Sequence, residues 1–66
     1  MRATINGQDR EFERELTVAE LLIELGVAQS GIAVCRNDQV VRRTALHEVA
    51  IVEGDRIEII RAVAGG

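Results

Sequence analysis

The chain is poor in the residues that staple a small protein or stack on flat ligands. It has one cysteine, one histidine, no tryptophan or tyrosine, and a single aromatic, Phe12. Cys35 alone cannot close an intramolecular disulfide, and one cysteine with one histidine cannot furnish a four-ligand zinc site. The fold must therefore come from packing, and a reducing compartment suits it. With a net charge of −3 and no row of aromatics, the sequence carries no footprint for nucleic acid. An acidic surface instead favours a basic protein partner. No apolar run reaches the length of a bilayer span, and residues 1–6 lack the continuous apolar segment of a signal peptide. The expectation is a soluble, cytoplasmic protein with no membrane partner.

What is present suits one compact unit. Of the 66 residues, 47% are hydrophobic and 29% charged, a balance that argues against intrinsic disorder. A chain this short buries only roughly 60% of the surface its unfolded form exposes. A deep active-site cavity is not expected, and a carrier or binding module is. No repeat, linker or low-complexity run divides the chain.

The periodicities read β-β-α-β-β. Residues 2–6 alternate, with Ala3 and Ile5 on one face, and Asn6-Gly7 is a hairpin-turn pair. A charged strand is expected at about residues 10–15, with Phe12 as its inward anchor. Thr17-Val18-Ala19-Glu20 has the spacing of a capping box, and Leu16 with Leu21 that of a hydrophobic staple. Val18, Leu21, Leu22 and Leu25 form one helical stripe, which Gly26 is suited to end. Ile23 falls outside the stripe. Residues 32–37 read as a strand in which Arg36 faces water, so that Ala33 and Cys35 turn toward the helix. Asn37-Asp38 turns into a short strand containing Val40 and Val41, and an irregular connection anchored by Leu46 and Val49 follows. Glu53-Gly54-Asp55 is a turn into a last strand at residues 56–60, with Ile57 and Ile59 inward and Ile60 beside Glu58 on the outer face.

A crossover helix between two hairpins is the order of an α+β, ubiquitin-like β-grasp fold: a mixed sheet packed on one helix. Residues 1–61 would form this domain and residues 62–66 a flexible tail. If the last strand is central, the tail leaves from the rigid middle of the sheet, which preorganises whatever the tail presents. That tail is Ala62, Val63, Ala64, Gly65 and Gly66. Two residues without Cβ give a backbone thin enough to thread a narrow partner site, with the Gly66 carboxylate as the reactive group. The alternative is a frayed end in which glycine is merely tolerated.

No side chain competes strongly for the chemistry. Cys35 reads as a small strand hydrophobe rather than a persulfide acceptor. His47 has no Ser, Cys or ligand partner at a telling spacing. Glu11/Glu13 and Glu53/Asp55 read as solvated edges and turns, not as a catalytic dyad. Ile32, Val34 and Ile60 read as apolar residues on the outer face of the sheet, either a partner-docking patch or residues partly covered by loops.

The sequence as a whole resembles the ThiS family, the sulfur carrier proteins of thiamin thiazole biosynthesis. The resemblance rests on Asn6-Gly7, Thr17-Val18-Ala19-Glu20-Leu21-Leu22 with Leu25-Gly26, and Gly31-Ile32-Ala33-Val34. Val40-Val41-Arg42-Arg43, Glu53-Gly54-Asp55-Arg56-Ile57-Glu58-Ile59 and the Ala62-Val63-Ala64-Gly65-Gly66 ending complete it. Arg42 stands where the family commonly has proline, Asn37-Asp38 replaces Asn-Gly, and an aromatic often found near residues 45–47 is missing, with Leu46 left to fill the space.

The resemblance implies a protein cosubstrate, not an enzyme, with no catalytic residue, metal or bound cofactor of its own. ATP and Mg would be used by a ThiF-like adenylyltransferase, a partner that converts the Gly66 carboxylate to an acyl adenylate. Sulfur from a cysteine desulfurase or other persulfide donor would then give a thiocarboxylate, delivered to thiazole synthase. Two alternatives use the same ending: a carrier like the small subunit of molybdopterin synthase, and a ubiquitin-like protein modifier.

Overall fold

A computed structural model of the chain describes residues 1–61; the expected tail, residues 62–66, lies outside the described residues. Asn6 and Gly7, both at positive φ (50° and 82°), close a hairpin between β1 (Arg2–Ile5) and β2 (Gln8–Glu11). The second strand therefore begins at Gln8 and not near residue 10, because a two-residue turn pairs Ile5 directly with Gln8. Phe12 lies just past the strand and still packs against the core.

The capping box forms as its spacing implies. After the two-residue β3 (Leu16–Thr17), the Thr17 side chain accepts from the Glu20 N–H at 3.1 Å, and the Thr17 N–H donates to the Glu20 carboxylate at 2.9 Å. That Thr17 N–H is the first cause holding the Glu20 carboxyl below its usual range. A threonine cap of this kind is worth about 1 kcal/mol. The helix, α1 (Val18–Leu25), buries Val18, Ala19, Leu21 and Leu22, leaves Ile23 exposed, and ends on Gly26 at φ 71°.

The remaining elements are β4 (Ile32–Arg36), β5 (Gln39–Val41), a 3-10 turn (Arg43–Ala45), β6 (Ala50–Ile51) and β7 (Arg56–Arg61). The main sheet has the order β2-β1-β7-β4-β5, with β1 and β7 parallel and the other neighbours antiparallel. The last strand is thus central, as the β-grasp expectation requires. β3 and β6 form a separate two-stranded sheet. Helix and sheet close on Ala3, Ile5, Val34 and Ile57, with Leu46 and Ile51 supplied by the connection between β5 and β7.

The facing of β4 is the reverse of the sequence expectation. Val34 is 2% exposed and Ile32 packs against the core, whereas Ala33 lies exposed and Cys35 half-buried on the open face. The cause is Asp55, expected in a solvated turn but only 5% exposed. Its carboxylate accepts from Arg36 Nε at 2.7 Å, the Val52 N–H at 2.9 Å and Asn37 Nδ2 at 3.0 Å. Arg36 is drawn to the inner side of β4 to make this bond, and strand alternation carries Val34 and Ile32 inward with it.

Burial opposes the charge of Asp55, yet the bonds from Arg36, Val52 and Asn37 together hold its carboxyl below the ordinary aspartate range. The unfolded chain thus takes up protons first as pH falls. This group's stabilisation is complete above the ordinary aspartate range and is lost as pH drops through the lower, folded value. Asp55→Asn is expected to cost about 2 to 3 kcal/mol at neutral pH by removing a charged acceptor. It should also flatten the acid side of the stability profile. Urea unfolding of both chains across the acid range checks both effects.

Candidate functional site

The sequence expectation places the chemistry on Gly66, in the segment that follows β7, and the structure fixes how the end of that strand is held. On one side Ile59, Ile60 and Arg61 pair with Val34, Ala33 and Ile32 of β4. On the other, β1 stops at Ile5, opposite Ile57. Asn6 takes over from there: its N–H donates to the Ile57 carbonyl at 2.8 Å and its side-chain oxygen accepts from the Ile59 N–H at 2.8 Å. A turn residue thus adds one rung to the ladder, so β7 is gripped on both sides as far as Ile59 and on one side as far as Arg61. In the sequence Asn6 is legible only as turn chemistry, because this second role depends on a partner 53 residues away.

The expected tail residues Ala62, Val63, Ala64, Gly65 and Gly66 lie outside the described residues. Of the expected docking patch, only Ile60 is on the open face, at 54% exposure, while Ile32 and Val34 are turned into the core. Those three residues therefore do not form one surface. Ile60 instead stands across from Ala33, and Cys35 stands between Glu58 and the exposed Val40. His47 is exposed in the connection after the 3-10 turn. Among the described residues no three His, Cys, Asp or Glu side chains gather as a metal site, and no helix is long and apolar enough to cross a membrane.

A mixed sheet gripping one helix, with its last strand in the middle, defines a β-grasp protein. The ThiS family model matches residues 3–66. The sulfur carrier protein ThiS of Escherichia coli is 33% identical, with all of both chains covered. A thiazole synthase of Paramagnetospirillum magneticum is 41% identical over all 66 residues, and the chain spans 20% of that protein's length. The chain also spans 20% of a 36% identical thiazole synthase of Magnetococcus marinus. The crystal structure of a thiamine biosynthesis protein (ThiS) from Geobacter metallireducens superposes with a TM-score of 0.87 at 33% identity, each chain fully covered. The chain belongs to the ThiS family.

Asn6→Gly isolates the added rung, because glycine accepts the positive φ of the turn but removes the acceptor for Ile59. The expected outcome is faster hydrogen exchange at the Ile59 amide and a stability loss of about 1 kcal/mol. Amide exchange measured by NMR, with Ile57 as the internal reference, checks it.

Proposed function

We propose that this chain is a sulfur carrier of thiamine biosynthesis and that Gly66, as a free C-terminal carboxylate, is its reactive group. The observation that carries the reading is the continuity of the central, doubly paired β7 with the segment Ala62-Val63-Ala64-Gly65-Gly66. A fixed strand in the middle of the sheet gives the segment a defined origin, and the two final glycines give it the narrowest backbone a chain can have. The family match over residues 3–66 supports the same reading, since it includes this segment.

A carboxylate is a poor acyl donor until its oxygen is converted to a leaving group. In the proposed sequence a Gly66 oxygen attacks the α-phosphorus of Mg-bound ATP in a ThiF-like adenylyltransferase, and pyrophosphate departs. The terminal sulfur of a persulfide, from a cysteine desulfurase or another donor, then attacks the acyl carbon and displaces AMP. A thiol reduces the resulting acyl disulfide, leaving a thiocarboxylate on Gly66 and a disulfide on the donor side. The sulfur passes to thiazole synthase. In the two thiazole synthases named above, a stretch similar to this whole chain is part of the same polypeptide, which supports that enzyme as the recipient. Catalysis belongs to the partners and the chain is a cosubstrate, in the cytoplasm.

Two substitutions test the reading with purified chain, adenylyltransferase, Mg-ATP and a persulfide donor, followed by intact-mass measurement. Deleting Gly66 should leave thermal unfolding unchanged and abolish the exchange of oxygen for sulfur; normal loading would refute the assignment. Gly65→Val should block adenylation, because a β-branched side chain widens and stiffens the backbone behind the reacting carboxylate. Pyrophosphate exchange at the parent rate would show that the tail is not threaded through a narrow site.

A further inference from the structure

We infer that the free edge of β5, with the groove beside it, is a second docking site that takes an extended segment of a partner protein carrying carboxylates between small apolar side chains. The main sheet has two edges, and they differ. β2 is exposed at every position and reads Gln8, Asp9, Arg10, Glu11, a charged border of the kind that repels strand addition. β5 reads Gln39, Val40, Val41, and Val40 is 71% exposed.

The register of the β4–β5 hairpin shows which main-chain groups β5 offers. Asn37 and Asp38 both have positive φ, 51° and 70°, the geometry of a two-residue I′ turn, in which the flanking Arg36 and Gln39 exchange both hydrogen bonds. Bonded and non-bonded pairs alternate along an antiparallel ladder, so Cys35 and Val40 are a non-bonded pair. The N–H and C=O of Val40 consequently point away from β4. Arg42, extended at φ −64° and ψ 146°, repeats that direction; its carbonyl is taken by the Ala45 N–H at 2.8 Å, which leaves its own N–H facing outward.

A groove of about 240 Å³ runs along this edge, lined by Val41, Ala45 and Val49 with Arg36 and Arg42 among its walls. Arg36 in the groove wall is already paired with Asp55, whereas Arg42 and the adjacent Arg43, like Arg10 and Arg61 elsewhere on the sheet, pair with no carboxylate among the described residues. An added strand would set alternate side chains over the apolar floor and bring carboxylates to Arg42 and Arg43. A second copy of this chain does not match the site: its β2 edge has no apolar side chain to place in the groove, and its β5 edge, residues 39–43, has no carboxylate to bring to the arginines. The charge of the site therefore points to an acidic partner strand, independently of any chemistry at Gly66.

The probe is a capped peptide of alternating valine and glutamate, titrated into the whole chain and followed by amide NMR, with a valine–lysine peptide as control. Saturable shifts over residues 39–43 and at Val49, with slowed exchange of the Val40 and Arg42 amides, are expected for the glutamate peptide alone. Val40→Pro removes an outward N–H without touching the β4 ladder, and Arg42→Glu reverses the charge. Each should weaken binding roughly tenfold, Val40→Pro through the loss of one main-chain bond and Arg42→Glu through the loss of a charge-assisted one. Should Val40→Pro not fold, Arg42→Glu decides alone, with thermal unfolding as its control. Absence of saturable binding, equal binding of the lysine peptide, shifts centred on Ala33 and Ile60, or self-association of the chain in sedimentation would each overturn the inference.

Discussion

The carboxylate of Asp55 joins segments that are far apart in the chain, and the arrangement of the sheet hangs on it. One oxygen pair accepts from Arg36 on β4, from Asn37 in the β4–β5 turn and from the Val52 amide that leads into β7. The Asp55 main chain also receives the Thr4 N–H of β1 at 2.9 Å. Asn37 returns the favour to β7 by accepting the Arg56 N–H at 2.8 Å. Removing such a charge from water is costly unless every lone pair finds a donor, and these donors are oriented by three different turns and strands. Alternatives that shift β4 by one residue would place Arg36 on the open face and strand the carboxylate without its guanidinium, so the clamp specifies facing as well as adding stability.

What could be read from sequence follows from this. The Asn6-Gly7 turn, the Thr17–Glu20 box and the Gly26 stop are contained within a few residues, so their chemistry is visible locally and each forms as its spacing implies. The facing of Ile32 to Arg36 was not readable in that way. Both parities place small or branched apolar residues on each face, so hydropathy does not choose between them, and an arginine by itself looks like a solvent marker. Its partner is 19 residues further on, in a Glu-Gly-Asp run that resembles any exposed turn. The candidate site divides in the same manner: the diglycine is plain in the sequence, while the way its base is held depends on Asn6 reaching Ile59 and on β4 reaching Arg61.

The connection after β5 looks irregular but completes the helix. The first amides of α1 have no partner within the helix itself. Val18 donates to the Val49 carbonyl at 3.0 Å, Ala19 to the Leu46 carbonyl at 2.9 Å, and Glu20 to the Thr17 side chain. Three otherwise orphaned donors are therefore satisfied by the threonine cap and by a loop that is held down in turn by the buried Leu46 and Ile51. Because the same loop supplies Ala45 and Val49 to the groove along β5, that groove has a fixed floor although it lies outside regular structure.

The two ends of β7 are secured by different means, and the difference bears on what the chain can do. Near Arg56 the strand lies among the polar bonds of Asp55 and Asn37, with β1 beside Arg56 and Ile57 and β4 joining on the other side from Ile57 onward. Toward Arg61 the β1 side is replaced by one side-chain oxygen of Asn6, after which β4 alone continues the ladder. Among the described residues, hydrogen bonding on one edge of the strand thus stops two residues short of the other. Ile60 and Arg61 keep β4 as their partner, while among the described residues no strand pairs with their other edge, next to the Asn6-Gly7 turn. For a segment whose proposed task is to enter another protein's site, that combination supplies a defined origin together with main-chain groups the partner can engage.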